Sequence, residues 1–268
     1  MDNLSKENVG KTPIIELKNA TVSFGDEAIL QDINLEVFSG ETVVLIGPSG
    51  GGKTILLKTL AGLYHPQKGV ALCFGKKWKD MGIIEKHKFS ENIGMQFQTS
   101  ALFDDLDSSE NVAFPLREHN FFETEEEVQA RVLECLKAVS LEKALHLKPY
   151  EMSGGMKVRL GIARAIALKP QILLLDDPTA GLDPLKSDEM TEMINGLKNQ
   201  LGTTLVVVTH DILRAYQFAG RIIFVGQKQI LETGSARQTI ESKDERIQQF
   251  IHGRQQGPLT NIETEVEF

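Results

Sequence analysis

Two rhythms of apolar residues alternate along the chain. Short runs without polar interruption lie between turn signals: Thr42-Val43-Val44-Leu45-Ile46, Ile172-Leu173-Leu174-Leu175, and Thr204 to Thr209. Such runs predict strands buried on both faces, as in a parallel sheet. Ile33, Leu35 and Val37 alternate with polar residues, the mark of a half-buried antiparallel strand. Ile14 to Leu17 and Ala20 to Phe24 read as strands separated at Lys18-Asn19, with a turn at Gly25-Asp26. Val70 to Phe74, Ile93 to Phe97, Arg221 to Val225 and Gln229 to Leu231 complete the strand signals. The second rhythm is helical. From Ser108 to about Leu168 no strand signal occurs. Thr124-Glu125-Glu126-Glu127 is a capping box, and Val128, Val132, Leu133, Leu136 and Val139 follow as one apolar face. Met190, Met193, Ile194, Leu197 and Leu201 form a second stripe, and short helices start at Ser235 and Asp244. The pattern predicts an α/β core with an antiparallel β part and a helical subdomain inserted at about 100–168. The last residues, Ile262 to Phe268, alternate with period two. They fit a disordered acidic tail or a strand that pairs with a partner.

Between the strand Thr42–Ile46 and the apolar helix Ile55 to Leu63 stands Gly47-Pro48-Ser49-Gly50-Gly51-Gly52-Lys53-Thr54. It matches G-x-x-x-x-G-K-[ST] in a strand–turn–helix context. Glycines without Cβ atoms let several backbone N–H groups converge on an anion, and the helix dipole points at the same place. Lys53 adds a charge for β- and γ-phosphates, and the Thr54 hydroxyl is placed for Mg²⁺. Asp176 ends a buried strand, where α/β sheets place ligands, and can hold Mg²⁺ opposite Thr54. Asp177 follows it directly. Among six histidines only His210 follows a β-run at once; His65, His87, His119, His146 and His252 have polar neighbours and read as surface residues. Phe24, 29 residues before Lys53, ends a strand and fits either a core position or a ring stacked on adenine.

Composition narrows the picture. At 268 residues the chain is one large domain or a core with a subdomain. A net charge of −8 argues against nucleic acid as the main partner. Met1 to Lys11 is polar and lacks an apolar signal region, and the longest apolar runs are too short to span a membrane. Cys73 and Cys135 lack metal-ligand spacing and read as two buried thiols.

A second helix N-terminus follows Tyr150-Glu151-Met152: Ser153-Gly154-Gly155-Met156, with Arg159 and Ala163-Arg164-Ala165-Ile166 beyond it. With this element the chain resembles the nucleotide-binding domain of ABC transporters over about residues 14 to 240. The shared set is the P-loop, Gln98 as the Q-loop residue, Ser153-Gly154-Gly155 as the signature, Asp176, the D-loop Gly181-Leu182-Asp183 and His210 as the H-loop residue. The resemblance implies a P-loop NTPase (RecA-like) core carrying the antiparallel and helical subdomains, with 241–268 as a C-terminal extension. It puts Phe24 at the adenine-stacking position and Gly47, Pro48, Ser49, Gly50, Gly51, Gly52, Lys53, Thr54 and Ile55 around ATP. It implies Thr54, Gln98 and Asp176 around Mg²⁺, and Asp177, His210 and Gln98 in hydrolysis. Two such domains pair head to tail, each ATP lying between Gly47–Thr54 of one and Ser153–Gly155 of the other. The loop Thr99 to Asp107, anchored by Leu102 and Phe103, then helps form a groove for a helix of an integral membrane permease.

Phe97-Gln98, Ala101-Leu102-Phe103, Asn111 to His119, Arg246 to Phe250, Gly253 and Gly257-Pro258 are similar to the ATPase of Mla/Mce-type phospholipid transporters. That likeness implies a peripheral subunit on the cytoplasmic face of the inner membrane, an Mce-type lipid-binding protein beyond the permease, and a C-terminal extension that reaches a neighbouring ATPase. Three departures stand out. Met156 replaces the usual Gln, Ile55 a common Ser or Thr, and Asp177 the usual catalytic Glu. Asp177 keeps open a slowly hydrolysing regulatory module, and a soluble non-transport ABC ATPase is a further alternative.

Overall fold

The computed structural model describes residues 12–260. Two sheets share one body. Strands β1 (Ile15–Phe24), β2 (Glu27–Val37), β4 (Lys68–Cys73) and β5 (Lys76–Lys77) form an antiparallel sheet in the order β2-β1-β4-β5. The larger sheet contains β3 (Thr42–Ile46), β6 (Ile93–Gln96), β7 (Ile172–Asp176), β8 (Thr204–Val208), β9 (Arg221–Gly226) and β10 (Gln229–Gly234). Its order is β10-β9-β3-β8-β7-β6, parallel except for β10.

Period-two geometry explains the unbroken apolar runs. Val44, Ile46, Leu173, Leu175, Leu205 and Val207 face one core. Their neighbours Val43, Leu45, Ile172, Leu174, Val206 and Val208 face a second core shared with the antiparallel sheet. Both faces of the central strands are therefore covered. The first core also takes α3 (Ser108–Glu118), α4 (Glu125–Ala138), α5 (Gly154–Ala165) and α6 (Pro184–Leu201); the second takes α1 (Lys53–Leu60). Helix α2 (Ile83–Ser90) precedes β6, α7 (Ile212–Gln217) follows β8, and α8 (Ala236–Ile240) and α9 (Glu245–Ile251) follow β10.

Several expectations need correction. Lys18-Asn19 does not break β1. Asn19 takes φ 47° and the pairing register shifts there, so the strand bulges and continues. Leu133 is exposed, and Arg131 and Cys135 share the buried face of α4. Arg131 is tolerated there because its Nε and Nη2 donate to the carbonyls of Ala167 and Ile166, 2.9 and 2.6 Å away, at the C-terminal end of α5. His119 is not a free surface residue. Its ring stacks on His87 at 4.1 Å, and its Nδ1 lies 3.4 Å from Glu91. Helix α2 gave no sequence signal, because it buries no residue. The capping box at Thr124 and the short helices after Ser235 and Asp244 are present as read, and the structure adds a capping box at Ser235 and a side-chain cap at Asp244. Cys73 and Cys135 are free and buried, and burial pushes their thiols up to about 12 and about 11.

The segment after α9 folds back on that helix. The Gln249 side chain accepts from Leu259 N at 2.7 Å and donates to Arg254 O and Thr260 Oγ1. The alternating residues Ile262, Val266 and Phe268 lie outside the described residues.

Candidate functional site

The parallel strands end along one edge, and the loops leaving them build a cleft. After β3 the chain must pass under β9. Gly47 has φ 141°, and a Cβ there would lie 2.1 Å from Val225 O, so only glycine fits. Gly50 and Gly52 take φ 75° and 97°, which turns the chain into α1. Lys53 folds back over this loop, its Nζ donating to Gly47 O at 2.9 Å and Pro48 O at 2.7 Å. Burial lowers its pKa to about 8, against the pull of Asp177 and Asp176. A cation held over an open loop of N–H groups is a receptor for anionic oxygens.

Thr54 Oγ1 donates to Asp176 Oδ1 at 3.1 Å, across 122 residues of sequence. Burial raises the Asp176 pKa, and the Thr54 hydrogen bond opposes that rise. Asp177 sits at φ 47°, and its N–H donates to Val208 O at 3.0 Å. Burial first, and Asp176 second, push its carboxyl up to about 6. His210 Nε2 stands 3.7 Å from Asp177 Oδ2. Burial and then Lys53 lower the His210 pKa. A cleft of about 470 Å³ is lined by Phe24, Ser49, Gly50, Gly51, Gly52, Lys53, Thr54, Ile55, Gln98 and His210 together with Ile29. Phe24 is 47 % exposed, with Tyr64 edge-on at 5.2 Å. The Thr54 hydroxyl and Asp176 carboxylate, with the Gln98 amide at the cleft, are hard oxygen donors that fit Mg²⁺.

Ser153, Gly154 and Gly155 do not join this cleft. They open α5 at a separate place. Ser153 Oγ accepts from Met156 N at 3.3 Å, no acid occupies the first turn, and a Cβ on Gly154 would meet open space. The D-loop lies beside them, with Leu182 3.3 Å from where a Cβ on Gly155 would stand, and Asp183 caps α6.

Sequence reasoning missed Ile29, Tyr64 and Arg164. Ile29 and Tyr64 carry no motif. Arg164 donates to Ser100 O at 2.9 Å and lies over the Phe103 ring at 5.5 Å. It clamps a loop in which both Ser100 and Ala101 are left-handed, at φ 59° and 44°. Only its helical position near a loop rich in carbonyls could have signalled this.

Comparison with known proteins places the architecture. The family model described as "ABC transporter" matches residues 30–180. The intermembrane phospholipid transport system ATP-binding protein MlaF of Haemophilus influenzae is 37% identical over 92% of this chain and 93% of its own length. The probable ribonucleotide transport ATP-binding protein mkl of Mycobacterium leprae is 36% identical over 93% of this chain and 73% of its own. Among solved structures, the ATP-binding cassette MJ0796, dimeric in a post-hydrolysis state with ADP and Pi, superposes with a TM-score of 0.74 at 35% identity, covering 81% of this chain and 98% of that one. Two sheets, an inserted helical subdomain, a glycine-rich loop whose Thr54 meets Asp176 and these likenesses converge: the chain belongs to the ABC transporter family of ATP-binding subunits.

Proposed function

We propose that this chain is the ATP-hydrolysing subunit of a transporter that moves phospholipid, or a related lipid, within an Mla/Mce-type envelope system. The observation that carries the chemistry is the meeting of Lys53, the Thr54–Asp176 hydrogen bond, Asp177 and His210 at one cleft. The lipid assignment rests on the MlaF likeness along nearly the whole chain. In this reading Phe24 stacks on the adenine, Gly47 to Ile55 bind the triphosphate, and Lys53 exchanges its two carbonyl partners for phosphate oxygens. Thr54, Asp176 and Gln98 would hold Mg²⁺, which neutralises phosphate charge when bound. Asp177 orients the attacking water, His210 contacts the γ-phosphate, and Ser153, Gly154 and Gly155 close on the ATP of a second copy.

The partners follow from two surfaces. The α5 N-terminus serves a head-to-tail homodimer. A groove of about 380 Å³, including Phe97, Ala101, Phe103, Phe114, Pro115 and His119, receives a permease helix. An Mce-type lipid-binding protein then lies beyond the permease. No helix among the described residues is long and apolar enough to cross a membrane, as befits a peripheral subunit on the cytoplasmic face. The domain limits, 14–240 with a helical part at about 100–168 and an extension at 241–268, belong to the same proposal. A second reading, a slowly hydrolysing regulatory module, draws on Asp177 alone.

The direct test is the complex purified from membranes, its partners identified by mass, and reconstituted between donor and acceptor vesicles. ATP-dependent phospholipid exchange that stops in Lys53→Ala is the expected result. A complex that hydrolyses ATP but exchanges no phospholipid rules out the lipid assignment.

The C-terminal segment has its own expectation. Truncation after Gly253 removes the partners of Gln249 and should lower the melting temperature by roughly 2–4 °C. Truncation after Thr260 should leave melting unchanged and reduce the yield of assembled complex. If the shorter-tailed complex forms and lasts like the full chain, the final eight residues have no part in assembly.

A further inference from the structure

We infer that the N-terminal end of α2 is a membrane-contact site that inserts into an anionic phospholipid surface beside the permease. Ile83 and Ile84 are 89 % and 86 % exposed, adjacent in sequence on the first turn of a helix that buries none of its residues. Exposing two neighbouring large aliphatic side chains to water is unfavourable unless a partner covers them. They form the rim of a shallow surface recess of about 1030 Å³ that also includes Phe89, Lys76 and Lys88. The recess is firmly founded, because Phe89 packs edge-on against Phe74 and Trp78, each with ring centroids 5.3 Å away.

Charge selects the partner. Between Lys76 and Lys88 the sequence carries five lysines against Asp80 and Glu85, in a chain whose net charge is −8. Glu85 is already paired with Lys76 at 2.5 Å. No carboxylate pairs with Lys77, Lys79, Lys86 or Lys88 among the described residues. Lys88 stands one helical turn from Ile84, and Lys86 lies three residues from Ile83, so cations flank the apolar pair. An apolar knuckle with a cationic collar matches a bilayer interface, where acyl chains cover the isoleucines and lipid phosphates meet the lysines. A flat protein partner would call for apolar positions three and four residues apart along the helix, and α2 shows no such stripe on its exposed side.

Position agrees. α2 is about 12 Å long, and its last residue, Ser90, lines the groove assigned above to the permease helix. A groove that receives a membrane subunit turns its edge toward the bilayer, so this argument rests on the functional reading given above.

The test is co-sedimentation of the full-length subunit with vesicles of phosphatidylcholine alone and of phosphatidylcholine with phosphatidylglycerol. Wild type should partition onto the anionic vesicles and not onto the neutral ones. Ile83→Asp should weaken that partition roughly tenfold, and Ile83→Asp/Ile84→Asp should abolish it. Lys79→Glu, Lys86→Glu and Lys88→Glu should each weaken it about fivefold, and added salt should do the same. The substituted side chains are exposed or partly exposed, and nucleotide binding measured on the same samples should match wild type. Equal sedimentation with both vesicle types, or anionic binding unaffected by Ile83→Asp/Ile84→Asp, overturns the inference. So does loss of complex assembly in the isoleucine variants without any vesicle binding by wild type, which would make the knuckle a permease contact. Phospholipid exchange by the reconstituted complex reports separately on the functional reading.

Discussion

Replacing Asp177 by Asn is expected to lower phosphate release by the assembled transporter on the order of 10²-fold or more, with ATP still bound and the ATP-bound dimer longer lived. The main chain at Asp177 is tied to Val208 O, and the carboxylate stands 3.7 Å from His210 and beside the like charge of Asp176. Burial first, and the charge of Asp176 second, lift its pKa to about 6. Asp is one methylene shorter than the usual Glu, a withdrawal of about 1.5 Å. The left-handed backbone at φ 47° sets where that shorter arm points. If the backbone compensates, Asp177→Glu leaves turnover unchanged; if a water bridges the gap, Asp177→Glu raises it. Asp177→Asn turning over like wild type would remove Asp177 from catalysis and favour the regulatory reading.

How much of this was legible depended on how local each signal is. The P-loop could be read because glycine placement, Lys53 and Thr54 are consecutive, and a strand and helix bracket them. Asp176 ends β7 and His210 stands two residues beyond β8, so the apolar runs before them mark both positions in the sequence. The doubly covered central strands announced themselves through apolar residues at every position. What failed was non-local. Arg131 looks solvent-facing until the carbonyls of Ile166 and Ala167 are brought to it. Arg164 acquires meaning only when the loop at Ser100 folds beneath it. Asn19 reads as a break because a bulge and a turn use the same residue types. Helix α2 was silent because its two isoleucines point outward and only Phe89 packs against the core.

The second large effect concerns the surface that the cleft lacks. Ser153 opens α5 with its hydroxyl on Met156 N, and Gly154 faces open space, so one subunit presents two helix N-termini that do not meet. Ser153→Arg removes a cap worth about 1 kcal/mol, which the fold can absorb. In the paired state its bulk occupies the room needed between signature and phosphates, and overpacking of that kind should weaken dimerisation roughly 10- to 100-fold. Nucleotide binding to the monomer, which uses the other cleft, should be unchanged.

The decisive measurement is therefore solution mass by light scattering with ATP and Mg²⁺, in the Asp177→Asn background that prolongs the bound state. The account predicts that Asp177→Asn doubles its mass on adding ATP, and that Ser153→Arg/Asp177→Asn stays monomeric while binding ATP with the affinity of the Asp177→Asn monomer. Equal masses for the two proteins, with and without ATP, would contradict it.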